Sequence, residues 1–197
     1  MPVENKIRKI KNHQYLKSCE VVKMDKLIEL SRGRIANVSV GASTVRGQKK
    51  GTVKVIRDFL IKIDLSLFKN IDDENSFQIF LDKLTDKLII KMPEGNFGFA
   101  RKCLNIFLFE VCQNKLLSNE FGLDKIIPFL EVPLDNPNEK ELGKQAKGLK
   151  DWEWNSIKRL NPEDNKKIQS FAKKYMKQFY NLGRVHFDLI NWRNDNK

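Results

Sequence analysis

The stretch that decides the fold is residues 76–105, which read SFQIFLDKLTDKLIIK, then MPEGNFG, then FARKCLN. Phe77, Phe80, Leu81, Leu84, Leu88 and Ile89 recur at the three-and-four spacing of an amphipathic helix over 76–91. Ser76 stands at its start as an N-cap. Pro93 disfavours helical geometry in the residue before it, so the helix ends at Met92. Residues 92–98 form a short turn with two glycines. Residues 99–117 then predict a second helix, so apolar over 104–111 that it is expected to be buried nearly all round. A helix, a Pro-and-Gly turn and a second helix make a hairpin, and they set the class as mostly α, a compact helical protein with a helix-hairpin-helix element around residues 76–117.

The flanks extend this reading. Residues 24–30 space apolar side chains like a short helix, and 34–40 (RIANVSV) alternate enough for a short strand. Over 50–63, Val53, Ile56, Leu60 and Ile63 share one helical face. Residues 121–134 end in a proline-bounded apolar approach to Asp135-Asn136-Pro137. Residues 162–180 predict a long helix with a basic exposed side, opened by Asn161-Pro162 and closed by Asn181-Leu182-Gly183. The tail, 184–192, is apolar enough to dock on the body. The expectation is a single compact unit, 1–197, within which two helical lobes (1–75 with the C-terminal tail, and 76–160) could flank a cleft.

Length and composition narrow the classes. A chain of 197 residues with 41% hydrophobic residues can bury a core without disulfide staples. The cysteines Cys19, Cys103 and Cys112 lie in no C-x-x-C, and only His13 and His186 accompany them. A four-cysteine zinc or iron–sulfur site within one chain is therefore excluded, and neither metal nor cofactor is expected. The longest apolar runs are too short to span a bilayer, and residues 1–11 lack the apolar centre of a secretory signal. A cytoplasmic protein is expected, nucleoid-associated if prokaryotic.

Charge points to a partner. Lys and Arg number 37 against 25 Asp and Glu, for a net +12. The excess is uneven: net +9 over residues 1–60, −3 over 61–140 and +6 over 141–197. Basic ends around an acidic, apolar middle suit a clamp on nucleic acid, most simply double-stranded DNA.

The chemistry gathers at the hairpin. Gly95 and Gly98 permit positive φ or close backbone approach, and N–H groups at the start of the second helix suit a DNA phosphate. Lys102 lies just inside that helix beside Arg101, and an amine among other cations can act as a nucleophile. Glu131-Val132-Pro133-Leu134-Asp135-Asn136 follows, placing a carboxylate, Asp135, where a new helix could begin; a helix cap is its simplest role. His186 reads as a hydrogen-bonded core histidine, and Asp188 two residues on gains no assignment from spacing. Cys103 and Cys112, on an apolar helix, read as small hydrophobes.

In this order the motifs resemble those of the helix-hairpin-helix base-excision DNA glycosylases, the superfamily of the 8-oxoguanine glycosylases and endonuclease III. The matching residues are Met92-Pro93-x-Gly95-x-x-Gly98, Arg101-Lys102-x-x-Asn105 and Val132-Pro133-Leu134-Asp135-Asn136. The layout is most similar to the archaeal 8-oxoguanine branch, without an iron–sulfur cluster. Upstream, Ser43-Thr44-Val45-Arg46-Gly47-Gln48 looks like the family's Ser-x-Gln segment, whose glutamine fills the gap left by an extruded nucleotide. The resemblance covers about residues 40–140. It implies Lys102 as nucleophile, Asp135 as stabiliser of the sugar cation, and Gln48 or Arg46 as wedge. Arg46, Gln48, Lys49, Lys50, Gly95, Gly98 and Arg101 would then contact DNA, and Phe97, Phe99, Trp152 and Trp154 would supply the base pocket. Two other readings remain open. One is a non-enzymatic DNA- or RNA-binding protein that uses the hairpin for phosphate contacts. The other is an interaction module of a defence or toxin–antitoxin system.

Overall fold

The computed structural model describes residues 24–41, 44 and 46–192, and among these the architecture is helical with no strand. Eight α-helices follow in order: α1 (Met24–Ser39), α2 (Thr52–Ile61), α3 (Glu74–Lys91), α4 (Phe97–Gln113), α5 (Lys115–Phe121), α6 (Asn136–Ala146), α7 (Pro162–Tyr180) and α8 (Phe187–Trp192). Tight 3-10 turns at Leu65–Asn70, Leu123–Phe129, Ile157–Arg159 and Arg184–His186 join them.

Five of these starts are written by a single short polar side chain, one of them that of α6, taken up below. Asp73, Asn96, Asn114 and Asn161 each accept from a backbone N–H in the first turn of α3, α4, α5 and α7, satisfying donors that a helix start otherwise leaves orphaned. Two sequence expectations give way here. The cap of α3 is Asp73, three residues before Ser76, whose N–H and hydroxyl both turn back to the Asp73 carboxylate. The apolar run 99–117 is two helices, because Asn114 ends α4 in extended backbone and caps α5.

The expected strand at 34–40 is helix as far as Ser39, with Val40 just beyond its end. Its buried residues are Ile35, Ala36, Ser39 and Val40, a one-and-four spacing that fits a helical face. The α2 side chain Arg57 reinforces it, donating to the carbonyls of Val40 and Asn37 at 3.0 Å each. Tertiary contact outweighs the local alternation of β-branched residues.

Helix α4 runs through the centre. It packs on α1, α2, α3 and α5 and buries most of its circumference from Gly98 to Cys112, leaving Lys102, Ile106, Phe109, Glu110 and Gln113 as one stripe that is only partly covered or exposed. The apolar interior forms two clusters. The first collects Ile35 through Leu130 together with Val185. The second collects Val132, Leu134, Leu142, Ala146, Trp152, Leu160, Ile168, Ala172, Met176 and Phe187. The division between cores therefore falls near residue 131 rather than residue 75, because α1 and α2 pack directly on α4. Among the described residues no helix is long and apolar enough to cross a membrane.

Candidate active site at the junction of the two cores

Between the two clusters runs an extended stretch, Leu130 to Leu134, whose backbone groups have no strand to pair with. Side chains take that role. The Gln169 amide accepts from the Val132 N–H and donates to the Val132 carbonyl, both at 2.9 Å, as a neighbouring strand would. Arg184 donates to the carbonyls of Leu130 and Phe129 at 3.0 and 2.8 Å, and Asn138 donates to that of Pro133 at 3.0 Å. Buried backbone polar groups require such partners; Gln169 and Arg184 come from elements far away in sequence, Asn138 from the helix that follows.

The side chains of this stretch meet α4 at two consecutive residues. Arg101 is 3% exposed. It pairs bidentately with the equally buried Glu131 through Nε at 2.8 Å and a terminal nitrogen at 2.9 Å, and also reaches Asp82, Thr85 and Gln78 on α3. Burial works against the Arg101 charge, but Glu131 and Asp82 outweigh it and hold the guanidinium above its ordinary range. Burial likewise pushes Glu131 up, yet the Arg101 charge and hydrogen bonds, with help from Arg184 and Asn105, bring it below the usual carboxylate range. The pair is thus fully ionised and spent internally. Arg101 is not placed to touch a phosphate.

Lys102, next in the chain, points elsewhere. Its Nζ donates to Asp135 Oδ2 at 3.1 Å, and both side chains keep access to solvent, 14% and 32% respectively. Asp135 caps α6 as expected, its Oδ1 accepting from the Asn138 N–H at 3.1 Å. One carboxylate thus ends a helix with one oxygen and holds an amine with the other. Two residues so joined across 33 positions form the one place where the sequence-predicted nucleophile and acid meet.

Sequence reasoning left out the surroundings of this pair. Asn138 Nδ2 also donates to Asp188 Oδ1 at 2.6 Å, and Asn138 Oδ1 accepts from Asn191 at 3.1 Å. Burial pushes the Asp188 carboxyl above its ordinary value, the hydrogen bond from Asn138 opposes this, the Asp135 charge adds to it, and Lys102 draws it back. The cap at Asp135 uses only the backbone N–H of Asn138, so no local pattern marks the side chain of Asn138, nor Asp188 or Asn191.

The remaining candidates divide. Trp154 is half-buried, and its Nε1 donates to the side chain of Asn136, the residue after Asp135, at 3.1 Å. Phe97 is half-buried against the second core and lies 5.8 Å from the Arg101 guanidinium. Phe99 and Trp152 are core residues, and the Trp152 Nε1 is bound to Glu139; neither can line an open pocket. Gly98 is also structural. A Cβ there would stand 2.0 Å from the Ile157 carbonyl oxygen, so the glycine serves close packing. Neither Gly95 nor Gly98 has positive φ; in this part of the chain Gly47 and Gly51 do, at 80° and 94°.

The upstream segment lies against the α3–α4 turn. Lys49 pairs with Glu94 at 3.2 Å, Lys158 donates to the Gly47 carbonyl at 2.9 Å, and Asn96 donates to the Lys158 carbonyl at 2.6 Å. Arg46, Lys49 and Lys50 are exposed, whereas Gln48 is half-buried with an enclosed, unpartnered Oε1. Ser43 and Val45 of this motif, together with Cys19 and His13, lie outside the described residues. His186 is hydrogen-bonded as expected, to the Gly183 carbonyl at 3.1 Å, and stands edge-on to Phe109, but it is half-buried at the edge of the core rather than within it. Cys103 and Cys112 are buried, and burial pushes both thiols up to about 12. Among the described residues no group of three His, Cys, Asp or Glu side chains is placed to hold a metal ion.

Comparison with protein-family models, with curated proteins and with solved structures returns no match for this chain.

Proposed function

We propose that the protein is a DNA glycosylase with accompanying lyase chemistry, acting on a damaged or modified base in duplex DNA in the cytoplasm. The observation that carries this reading is the Lys102 amine 3.1 Å from the Asp135 carboxylate, with both groups open to solvent at the junction of two cores. The stretch beneath the pair is pinned by Arg101, Gln169 and Arg184, so the two groups are held on a rigid base.

In this mechanism Lys102 gives a proton to Asp135 and its free amine attacks the anomeric carbon of an extruded nucleotide. The glycosidic bond breaks and its electron pair leaves with the base. Asp135 passes that proton to the departing base, and the carboxylate it regains offsets the positive charge that develops on the sugar. The sugar ring opens as the proton on the attached nitrogen passes to the ring oxygen, which gives an imine; Asp135 then takes the neighbouring carbon-bound proton as the 3′ phosphate leaves with its electron pair. Trp154 and Phe97, both half-buried, are the candidate rings left to serve an extruded base, and Arg46, Lys49 and Lys50 the exposed cations for the backbone.

The test is borohydride trapping on duplexes carrying 8-oxoguanine, uracil or an abasic site. Reduction turns the imine into a stable amine linking protein to DNA. An adduct formed by the native protein and lost in Lys102→Ala supports the proposal. Absence of any adduct and of base release overturns it.

A second reading draws on the same geometry. Asp135 has both oxygens engaged, so the pair also fits a salt bridge fastening α4 to the start of α6 in a DNA-binding protein without chemistry. That reading expects salt-dependent binding, no base release, and only weaker affinity in Lys102→Ala.

A further inference from the structure

Asp188 enters the site from α8, a helix whose sequence gives no sign of function. Its Oδ1 receives the 2.6 Å hydrogen bond from Asn138, and Asn138 is itself 2% exposed with every polar group engaged. The Asn138 N–H goes to Asp135, its Nδ2 to Pro133 and Asp188, and its Oδ1 accepts from Asn191. One side chain therefore ties the first turn of α6 to the extended stretch before it and to α8. The Asp135 carboxylate that meets Lys102 sits at the centre of this tie.

We propose that Asp188 is a positioning residue for the Lys102–Asp135 pair, acting through Asn138 as the acceptor that fixes the first turn of α6. The proposal rests on the glycosylase reading for its catalytic consequence, and on the geometry alone for the hold on Lys102. The role needs an acceptor rather than a charge. Burial and the neighbouring Asp135 push Asp188 toward its neutral form, and a neutral carboxyl still presents an oxygen to Asn138. The other ionisable groups on the adjoining elements are directed away. Glu139 faces Lys150 and Trp152, Arg184 faces Glu74 and two carbonyls, and His186 faces Gly183 and Phe109. Asp135 and Lys102 are the charges that reach Asp188.

Two isosterically graded variants test this. Asp188→Asn keeps an oxygen where Asn138 donates; Asp188→Ala removes it. The first measurement needs no substrate: cyanate carbamylates only neutral, accessible amines, and mass spectrometry reads Lys102 against exposed Lys54 on α2 as internal standard. Loosening of Asp135 should raise the relative Lys102 rate about threefold in Asp188→Ala and leave Asp188→Asn at the native rate. An unchanged rate in folded Asp188→Ala, or equal acceleration in both variants, overturns the proposal. The second measurement is single-turnover imine trapping well below the melting temperature of each variant. Asp188→Ala should lose about tenfold in trapping rate with unchanged DNA affinity, and Asp188→Asn should restore it. A folded Asp188→Ala that traps at the native rate overturns the positioning role. A native protein that traps nothing overturns the glycosylase reading instead, and the carbamylation ratios still decide the hold on Lys102.

Discussion

Replacing Glu131 with glutamine probes the support beneath the candidate site. Glu131 is 2% exposed. It accepts from Arg101 at 2.8 and 2.9 Å and from Asn105 at 3.1 Å, with Asn165 at 3.4 Å. Removing one partner of a buried ion pair costs about 3–5 kcal/mol, because the other charge is left without compensation. Glutamine keeps the shape and one acceptor, and Asp82 still holds one guanidinium nitrogen at 2.7 Å, so the cost should fall at the lower end, about 3 kcal/mol. In a chain of this size that lowers the melting temperature by about 6–12 °C. The urea midpoint should fall by roughly 1.5 M for a slope near 2 kcal/mol per molar. The sign with pH follows from the direction of the Glu131 shift. Its folded-state carboxyl lies below the ordinary range, so its stabilisation is complete above the unfolded value, about pH 4.3, and is lost as pH falls through the folded one. The gap between native protein and Glu131→Gln should therefore be constant above about pH 5 and close below it. Urea titrations followed by helical circular dichroism at pH 7, 5 and 3 measure it. A gap under about 1 kcal/mol at pH 7, or one that does not narrow toward pH 3, refutes the account of Glu131 as an ionised buried partner.

Other perturbations address separate parts of the molecule. Asp135→Asn keeps a cap oxygen for Asn138 but removes the counter-charge to Lys102; trapping should fall at least about 100-fold while stability stays within about 1 kcal/mol. Gly98→Ala forces a Cβ onto the Ile157 carbonyl and should destabilise by about 2–3 kcal/mol; a variant as stable as the native protein would show that the Ile157–Arg159 turn is free to move. Cys103 and Cys112, buried and with thiols pushed up to about 12, should resist alkylation at pH 8 until urea unfolds the chain, as peptide mass spectrometry can read.

The legible parts of the fold are those set by neighbours in sequence. The period of Phe77, Leu81, Leu84 and Leu88, the proline after Met92 and the Asn161-Pro162 start are local signals, and α3 and α7 end where such signals put them. The strand expected at 34–40 failed because Arg57 and the α4 surface impose a helix there, and neither is visible from seven residues. Lys102 and Asp135 were legible as a candidate amine and carboxylate, and their meeting depends on the path of residues 114–134. Gln169, Arg184 and Asp188 were not, since each acts on a segment 37 to 55 residues away. Side-chain pairing over that distance leaves no mark on hydropathy or spacing. The four candidate aromatic residues divide for the same reason. Phe97, Phe99, Trp152 and Trp154 differ in exposure because of what packs over them, not because of their type.

Arg101 and Lys102 carry the argument one step further. Adjacent residues on a helix point about 100° apart, so two neighbouring cations cannot serve one phosphate-facing surface from within a buried helix. Here Arg101 turns to Glu131 and Lys102 to Asp135, four residues apart on an extended stretch that covers roughly 13 Å. The arginine, always charged and forked, suits the buried end, where a pair must be bidentate to offset its desolvation. The lysine suits the open end, because an amine can lose its proton and a guanidinium cannot. Exchange of the two residues is therefore a discriminating experiment. Arg101→Lys should destabilise the protein by about 3 kcal/mol, since one ammonium cannot replace the four partners of the guanidinium. Lys102→Arg should leave stability within about 1 kcal/mol by keeping the partly exposed ion pair, and should abolish imine trapping outright. A Lys102→Arg variant that still forms the adduct would place the nucleophile elsewhere in the chain and remove the central support for the enzymatic reading.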